Sequence, residues 1–139
     1  RVARICSVSV PELGGGERFA HVHHLVSEVR GPLLGERDVF ALLAAALPPG
    51  SVTGAPKHRA MEIIDELETA PRGAYCGTVF CIGVDGRMDS SVIIRSFVAH
   101  AGQLRMGTGG GITILSDPRK EYEEMRLKLA PFAAFVEGA

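Results

Sequence analysis

The sequence predicts an α+β fold, a largely antiparallel sheet with helices packed on its outer face. Two-residue alternation of apolar and polar residues is punctuated by the turn signals Asp85-Gly86 and Ala101-Gly102, which join neighbouring strands antiparallel. Two stretches open with helix caps, Asp38 and Asp117-Pro118, and a third follows Pro56; each leads into apolar residues at helical spacing. Strands come in runs with helices between the runs, instead of in strict strand–helix alternation.

The second half of Arg1 to Val10 reads as the first strand, Pro11 to Glu17 with its three glycines as a loop, and Phe19 to Arg30 as the second strand, ended by Gly31-Pro32. His21, His23 and His24 invite a metal reading. Alternation places His21 and His23 on one face and His24 on the other, with no third ligand nearby, so a histidine facing a ligand pocket is the stronger expectation. Asp38 opens a helix through Leu47, with Leu42, Leu43 and Leu47 as its buried side. Ser51 to Lys57 is then a polar turn before a helix over His58 to Glu68, striped by Met61, Ile64 and Leu67. Small hydroxyls before a helix start usually cap it, but they also stand where an anion could be held.

Ala74 to Val84 and Arg87 to Val98 are the next strands, joined by a two-residue hairpin at Asp85-Gly86, and Gln103 to Met106 is a third. Arg95 interrupts an apolar stretch and must either pair with an acid or face a site, because a charge is costly to bury alone. The glycines of Gly107 to Gly111 allow a close backbone approach to an anion, or simply a tight turn. In the helix begun by Asp117-Pro118, Glu121, Glu124 and Lys128 fall at i, i+3 and i+7 on one side, and Glu123 points elsewhere. That face offers two hard oxygen ligands and a cation, or an ordinary solvated surface with a Glu124–Lys128 pair.

Composition narrows the function. A chain of 139 residues, 46% hydrophobic, can bury a core. Its formal net charge of -1 gives no general attraction to nucleic acid or anionic membrane, so neither is an expected partner. The apolar run Val39 to Leu47 is too short to span a bilayer, and no signal-peptide pattern opens the chain. Cys6, Cys76 and Cys81 are odd in number and form no C-x-x-C pair, so a reduced, cytoplasmic protein is expected. The first residue is arginine, and the chain opens directly into a strand pattern, which suggests a fragment or a processed product.

Five ordered motifs resemble the chorismate-utilising enzymes: Ser51-Val52-Thr53-Gly54-Ala55-Pro56-Lys57 with the helix after it, Arg72-Gly73-Ala74-Tyr75-Cys76-Gly77, Asp85 to Asp89 leading to Ile94-Arg95, Gly109 to Ile112, and Ser116-Asp117-Pro118 to Glu124. The resemblance covers essentially all of residues 1–139, as the C-terminal portion of a single chorismate-binding catalytic domain of the anthranilate synthase-like fold, with its N-terminal half absent. It implies that Glu121 and Glu124 bind Mg²⁺, and that Lys128 and the backbone around Gly109 and Gly111 orient substrate carboxylates. It further implies that Arg95 and Tyr75 hold the enolpyruvyl carboxylate, that His24 of the H-L-V-S motif faces the substrate, and that Ser51, with Thr53 beside it, lines the ring.

Within the family, the T-G-A-P-K and Tyr75-Cys76-Gly77 wording looks most like aminodeoxychorismate synthases, with anthranilate synthases close behind. Both take ammonia from a glutamine amidotransferase subunit or domain. Gly14 to Gly16 and Thr108 depart from the family pattern. The family's lysine nucleophile, acid–base groups and further magnesium carboxylates belong to motifs upstream of Arg1. The resemblance therefore implies a segment inactive alone, or a non-catalytic one that self-associates through exposed strands.

Overall fold

A computed structural model describes residues 3–4, 6–19 and 23–138, and divides the chain into two units, Arg1–Ala46 and Leu47–Ala139. His21 lies outside the described residues. The secondary structure is mixed helix and antiparallel strand, and the α+β expectation holds.

The first unit is built on a long hairpin. Strand β1 (Ser9–Arg18) pairs antiparallel with β2 (His23–Arg30), with Gly15 opposite Val26 and Glu17 opposite His24. The triple glycine is therefore strand and not the loop that its composition suggests. The register shifts between Ser9 and Glu12 and again between Glu12 and Gly15, and Gly14 takes φ +65 while donating its N–H to Ser27 Oγ at 2.9 Å. Glycine in a strand marks such a bulge because it alone takes a left-handed backbone at no steric cost. Upstream, Cys6 lies in a turn and Val8 is not yet strand, so β1 starts later than alternation indicates. Helix α1 (Val39–Ala46) starts where its cap was read: Asp38 Oδ1 accepts the Ala41 N–H at 2.8 Å. Leu42 and Leu43 are half-buried on it.

The second unit begins with a four-residue helix, α2 (Gly50–Thr53), in place of the expected polar turn, followed by α3 (Lys57–Leu67). On α3, Ile64 is half-buried while Leu67 is 75% exposed. Strands β3 (Thr78–Ile82) and β4 (Met88–Val92) pair antiparallel, Thr78 opposite Val92 and Ile82 opposite Met88. Their loop holds three residues instead of two: Gly83 and Arg87 close it, and Gly86 sits at φ +82. That geometry is a turn followed by a left-handed residue, the usual three-residue hairpin.

Strands β5 (Phe97–His100) and β6 (Gln103–Met106) form the third pair around Ala101 (φ 49) and Gly102 (φ 72), the two left-handed residues of a tight turn matched to strand twist. The run read as one strand from Arg87 to Val98 breaks over Ile93 to Ser96, and the start of the strand read from Ala74 is a turn up to Cys76. Helix α4 (Pro118–Glu137) is capped as expected: the Asp117 carboxylate accepts the Arg119 and Lys120 N–H groups at 2.9 and 3.1 Å. It rests on β5 through an edge-to-face contact of Phe132 with Phe97, ring centroids 5.8 Å apart. The antiparallel sheet is thus realised, among the described residues, as three separate two-stranded ladders.

Candidate functional site

Two non-glycine residues of the second unit take a left-handed backbone beside one cleft. Cys76 has φ 66 and Arg95 has φ 50. Such conformations are uncommon outside glycine and persist where surrounding structure imposes them, often at functional sites. Cys76 is held by hydrogen bonds that extend the β3–β4 ladder: its N–H donates to the Ile93 carbonyl, and the Ile93 N–H to the Gly77 carbonyl, both at 2.9 Å. It is the single buried apolar residue among the described residues, at 8% exposure. Arg95 occupies the break after β4, with the Ser96 hydroxyl turned back onto the Ile94 carbonyl at 2.9 Å.

Between them lies a cleft of about 240 Å³, whose wall includes Ser51, Tyr75, Arg95, the glycine loop from Gly107 to Gly111, and Lys128. Six sequence-predicted site residues thus meet in one place: Ser51, Tyr75, Arg95, Gly109, Gly111 and Lys128. The Tyr75 ring lies against the glycine loop so closely that a Cβ on Gly107 would stand 2.3 Å from the ring, and one on Gly109 would stand 3.2 Å from the hydroxyl. Glycine is required at position 107 for that ring placement. Burial pushes the Tyr75 hydroxyl pKa upward, helped by neighbouring Cys76, so at neutral pH it is a neutral hydrogen-bond donor.

The acidic face of α4 borders the same loop. The Lys128 ammonium pairs with Glu124 Oε1 at 2.6 Å and approaches the Gly109 carbonyl at 3.4 Å. The bond from Lys128 holds the Glu124 carboxyl below its ordinary pKa. Glu121 faces the loop one turn earlier: a Cβ on Gly110 would lie 3.0 Å from Glu121 Oε2. The i,i+4 ion pair is thus present, and Glu121 and Lys128 both approach the glycine loop. Among the described residues no three acidic, histidine or cysteine side chains cluster as a metal cage. Two neighbouring carboxylates still fit Mg²⁺, which keeps most of its shell as water or substrate oxygen.

Thr53 is not brought to the cleft. Its hydroxyl donates to the Pro49 carbonyl at 3.0 Å, and it lines the adjoining groove with Met61 and Ile64. His24 belongs to the first unit, where it is half-buried with its ring 5.2 Å from Phe19, while neighbouring His23 is exposed. Arg72 entered only as part of the Arg72-to-Gly77 motif, with no role of its own, yet it lines the cleft, where its guanidinium clamps Glu68. The Glu68–Arg72 spacing of four residues was the available signal. Cys76 offered none, because nothing in its neighbours announces a left-handed cysteine.

Comparison with known proteins gives the family. The family model described as chorismate binding enzyme matches residues 1–134. The chain is 51% identical over 124 residues to aminodeoxychorismate synthase component 1 of Klebsiella aerogenes, covering 89% of this chain and 28% of that protein. It is 40% identical over 139 residues to anthranilate synthase component 1 of Acetivibrio thermocellus, covering 100% of this chain and 28% of the relative. The crystal structure of anthranilate synthase component I from Streptococcus pneumoniae TIGR4 superposes with a TM-score of 0.84 at 38% identity, over 91% of this chain and 29% of the other. The chain thus spans less than a third of the length of each of these proteins. With its matched span running nearly end to end and its cleft built from the same motifs, the chain belongs to the chorismate binding enzymes.

Proposed function

We propose that this chain is the C-terminal portion of the catalytic domain of an aminodeoxychorismate synthase, which replaces the C4 hydroxyl of chorismate with an amino group. The observation that carries the reading is the cleft that gathers Ser51, Tyr75, Arg95 and Lys128 around a glycine loop. The 51% identity to a component 1 of that name supports the choice within the family. Chorismate is a dicarboxylate, and the cleft offers Arg95 for bidentate carboxylate pairing, Tyr75 as a neutral donor and Lys128 as a point charge. The hydroxyl of Ser51 lines the ring.

Glu121 and Glu124 would hold Mg²⁺ at the rim, with Lys128 beside them. The ion, when bound, would supply Lewis-acid polarisation of the ring carboxylate. A glutamine amidotransferase would supply ammonia, in keeping with the component 1 names of the relatives. In this reading the setting is the cytoplasm, in accord with three free cysteines.

The extent of exposed surface supports the reading as a portion of a larger domain. The chain exposes 11527 Å². Even two separate compact globules of the sizes of these units would expose only about 8,000 Å² together. Residues 1–139 alone are accordingly inactive in this reading.

An anthranilate synthase is the second reading, favoured by the TM-score of 0.84 to one. Titration of chorismate with and without Mg²⁺ tests the site, and product analysis of the protein expressed from its complete gene tests the reaction. Magnesium-dependent binding with an aminodeoxychorismate product is expected. Anthranilate as product would select the second reading, and no affinity for chorismate in a folded protein would overturn both.

A further inference from the structure

One cation in the cleft wall has no part in the roles carried over from the family. The side chain of Arg72 is 26% exposed and faces the protein. Its Nε donates to Glu68 Oε2 at 2.9 Å, just past the end of α3, and its Nη1 donates to the Val52 carbonyl of α2 at 2.9 Å. The Arg72 backbone carbonyl accepts the Tyr75 N–H at 3.2 Å, closing a turn that includes Gly73 at φ +63 and leads into Cys76. One residue thus ties together the end of α3, the middle of α2 and the turn that delivers Tyr75.

Helix α2 needs such a tie. It is four residues long, its N-cap Pro49 makes no side-chain cap bond, and a single turn is unstable in isolation. Ser51 stands directly before the bonded Val52, and Ser51 and Tyr75 line the same cleft. A lysine at position 72 has one ammonium in place of a fork, and cannot hold the Glu68 carboxylate and the Val52 carbonyl in the same geometry.

We propose that Arg72 is a positioning residue, whose clamp on Glu68 and the Val52 carbonyl fixes Ser51 against Tyr75 across the cleft. The proposal rests on the reading of that cleft as the chorismate site. It is tested in the protein expressed from its complete gene, by kcat and KM for chorismate and by thermal midpoint. The variants are Arg72→Met, Arg72→Lys, Glu68→Gln, Ser51→Ala and the double variant Arg72→Met with Ser51→Ala.

Misplacement by a fraction of an ångström to an ångström gives an expected fall in kcat/KM of about 10- to 100-fold for Arg72→Met. Arg72→Lys recovers part of it, and the double variant falls no further than the worse single one, because the misplaced hydroxyl is already lost. Unchanged kcat/KM in folded Arg72→Met, or losses that multiply in the double variant, would overturn the proposal. Should Arg72→Met fail to fold, Glu68→Gln, which weakens the clamp and keeps the guanidinium, is held to the same outcomes.

If the unaltered protein does not act on chorismate, the functional reading fails and amide exchange decides on Arg72 alone. Exchange at residues 51–54 and 75–77 should quicken about tenfold or more in the variant while α4 stays protected. Equal exchange would overturn it.

Discussion

Single residues set the shape of the cleft, and their substitutions separate steric from electrostatic roles. A methyl group on Gly107 would stand 2.3 Å from the Tyr75 ring, so Gly107→Ala must displace the ring or the loop. Overpacking of this kind costs about 1–3 kcal/mol, and calorimetry should show that loss, together with weakened chorismate binding in the proposed reading. In the proposed reading, Arg95→Lys keeps the charge and loses the fork; a charge-assisted bond contributes roughly 1.5–3 kcal/mol, so KM for chorismate should rise about 10- to 100-fold in steady-state kinetics. The bond from Arg72 lowers the Glu68 pKa from its ordinary value of 4.5. A depressed carboxylate contributes stability that is present above the unfolded pKa and lost as pH falls through the folded one. Acid titration should therefore show a loss beginning near pH 4.5 that Glu68→Gln removes; an identical acid limb in the variant would contradict it.

Elements were legible in the sequence wherever a local interaction fixes them. Asp38 and Asp117 bond the first free N–H groups of their helices, and Ala101-Gly102 supplies two left-handed residues, so those boundaries appear in the residues themselves. In the proposed reading the cap on α4 also serves the site, because Glu121 lies in its first turn. Asp117→Ala should cost about 1 kcal/mol in thermal denaturation, and in the proposed reading it should weaken Mg²⁺ binding as that turn frays. Boundaries set by distant packing were not legible. Val92-Ile93-Ile94 has the branched residues of a continuing strand, yet the chain leaves the ladder so that Arg95 can turn left-handed into the cleft wall. Gly14 to Gly16 read as a loop because glycine usually punctuates, whereas pairing with β2 holds them in a bulged strand. Within α4, Pro131 lacks the N–H that a helix interior uses, and Phe132 next to it is anchored on Phe97 while the helix runs on to Glu137. In the candidate site, the charged and glycine residues were legible through spacing and motif. Cys76 was not, and of the Arg72 clamp only the Glu68 half shows in the spacing, since the bonds to the Val52 carbonyl and between Cys76 and Ile93 are made across the fold.

At the scale of the whole molecule, the apolar residues outnumber the partners available to them. Ile114 and Leu115 are 99% and 91% exposed beside the glycine loop, and Leu127 and Phe135 on α4 are 74% and 70% exposed. Each of the three ladders has only two strands, and an isolated two-stranded hairpin is at best marginally stable in water. Open strand edges and uncovered branched side chains are the surfaces along which chains associate. Residues 1–139 produced alone are therefore expected to sediment as oligomers or aggregates and to bind an apolar dye, and to turn over no chorismate. Co-expression with the remainder of the family's catalytic domain, as a separate chain, should suppress both the association and the dye signal and restore turnover, because the same strand edges and side chains would be covered by their own fold. A monomer of residues 1–139 with slowly exchanging amides in all three ladders would show instead that these surfaces need no cover, and the inference from exposed area to a larger domain would fall.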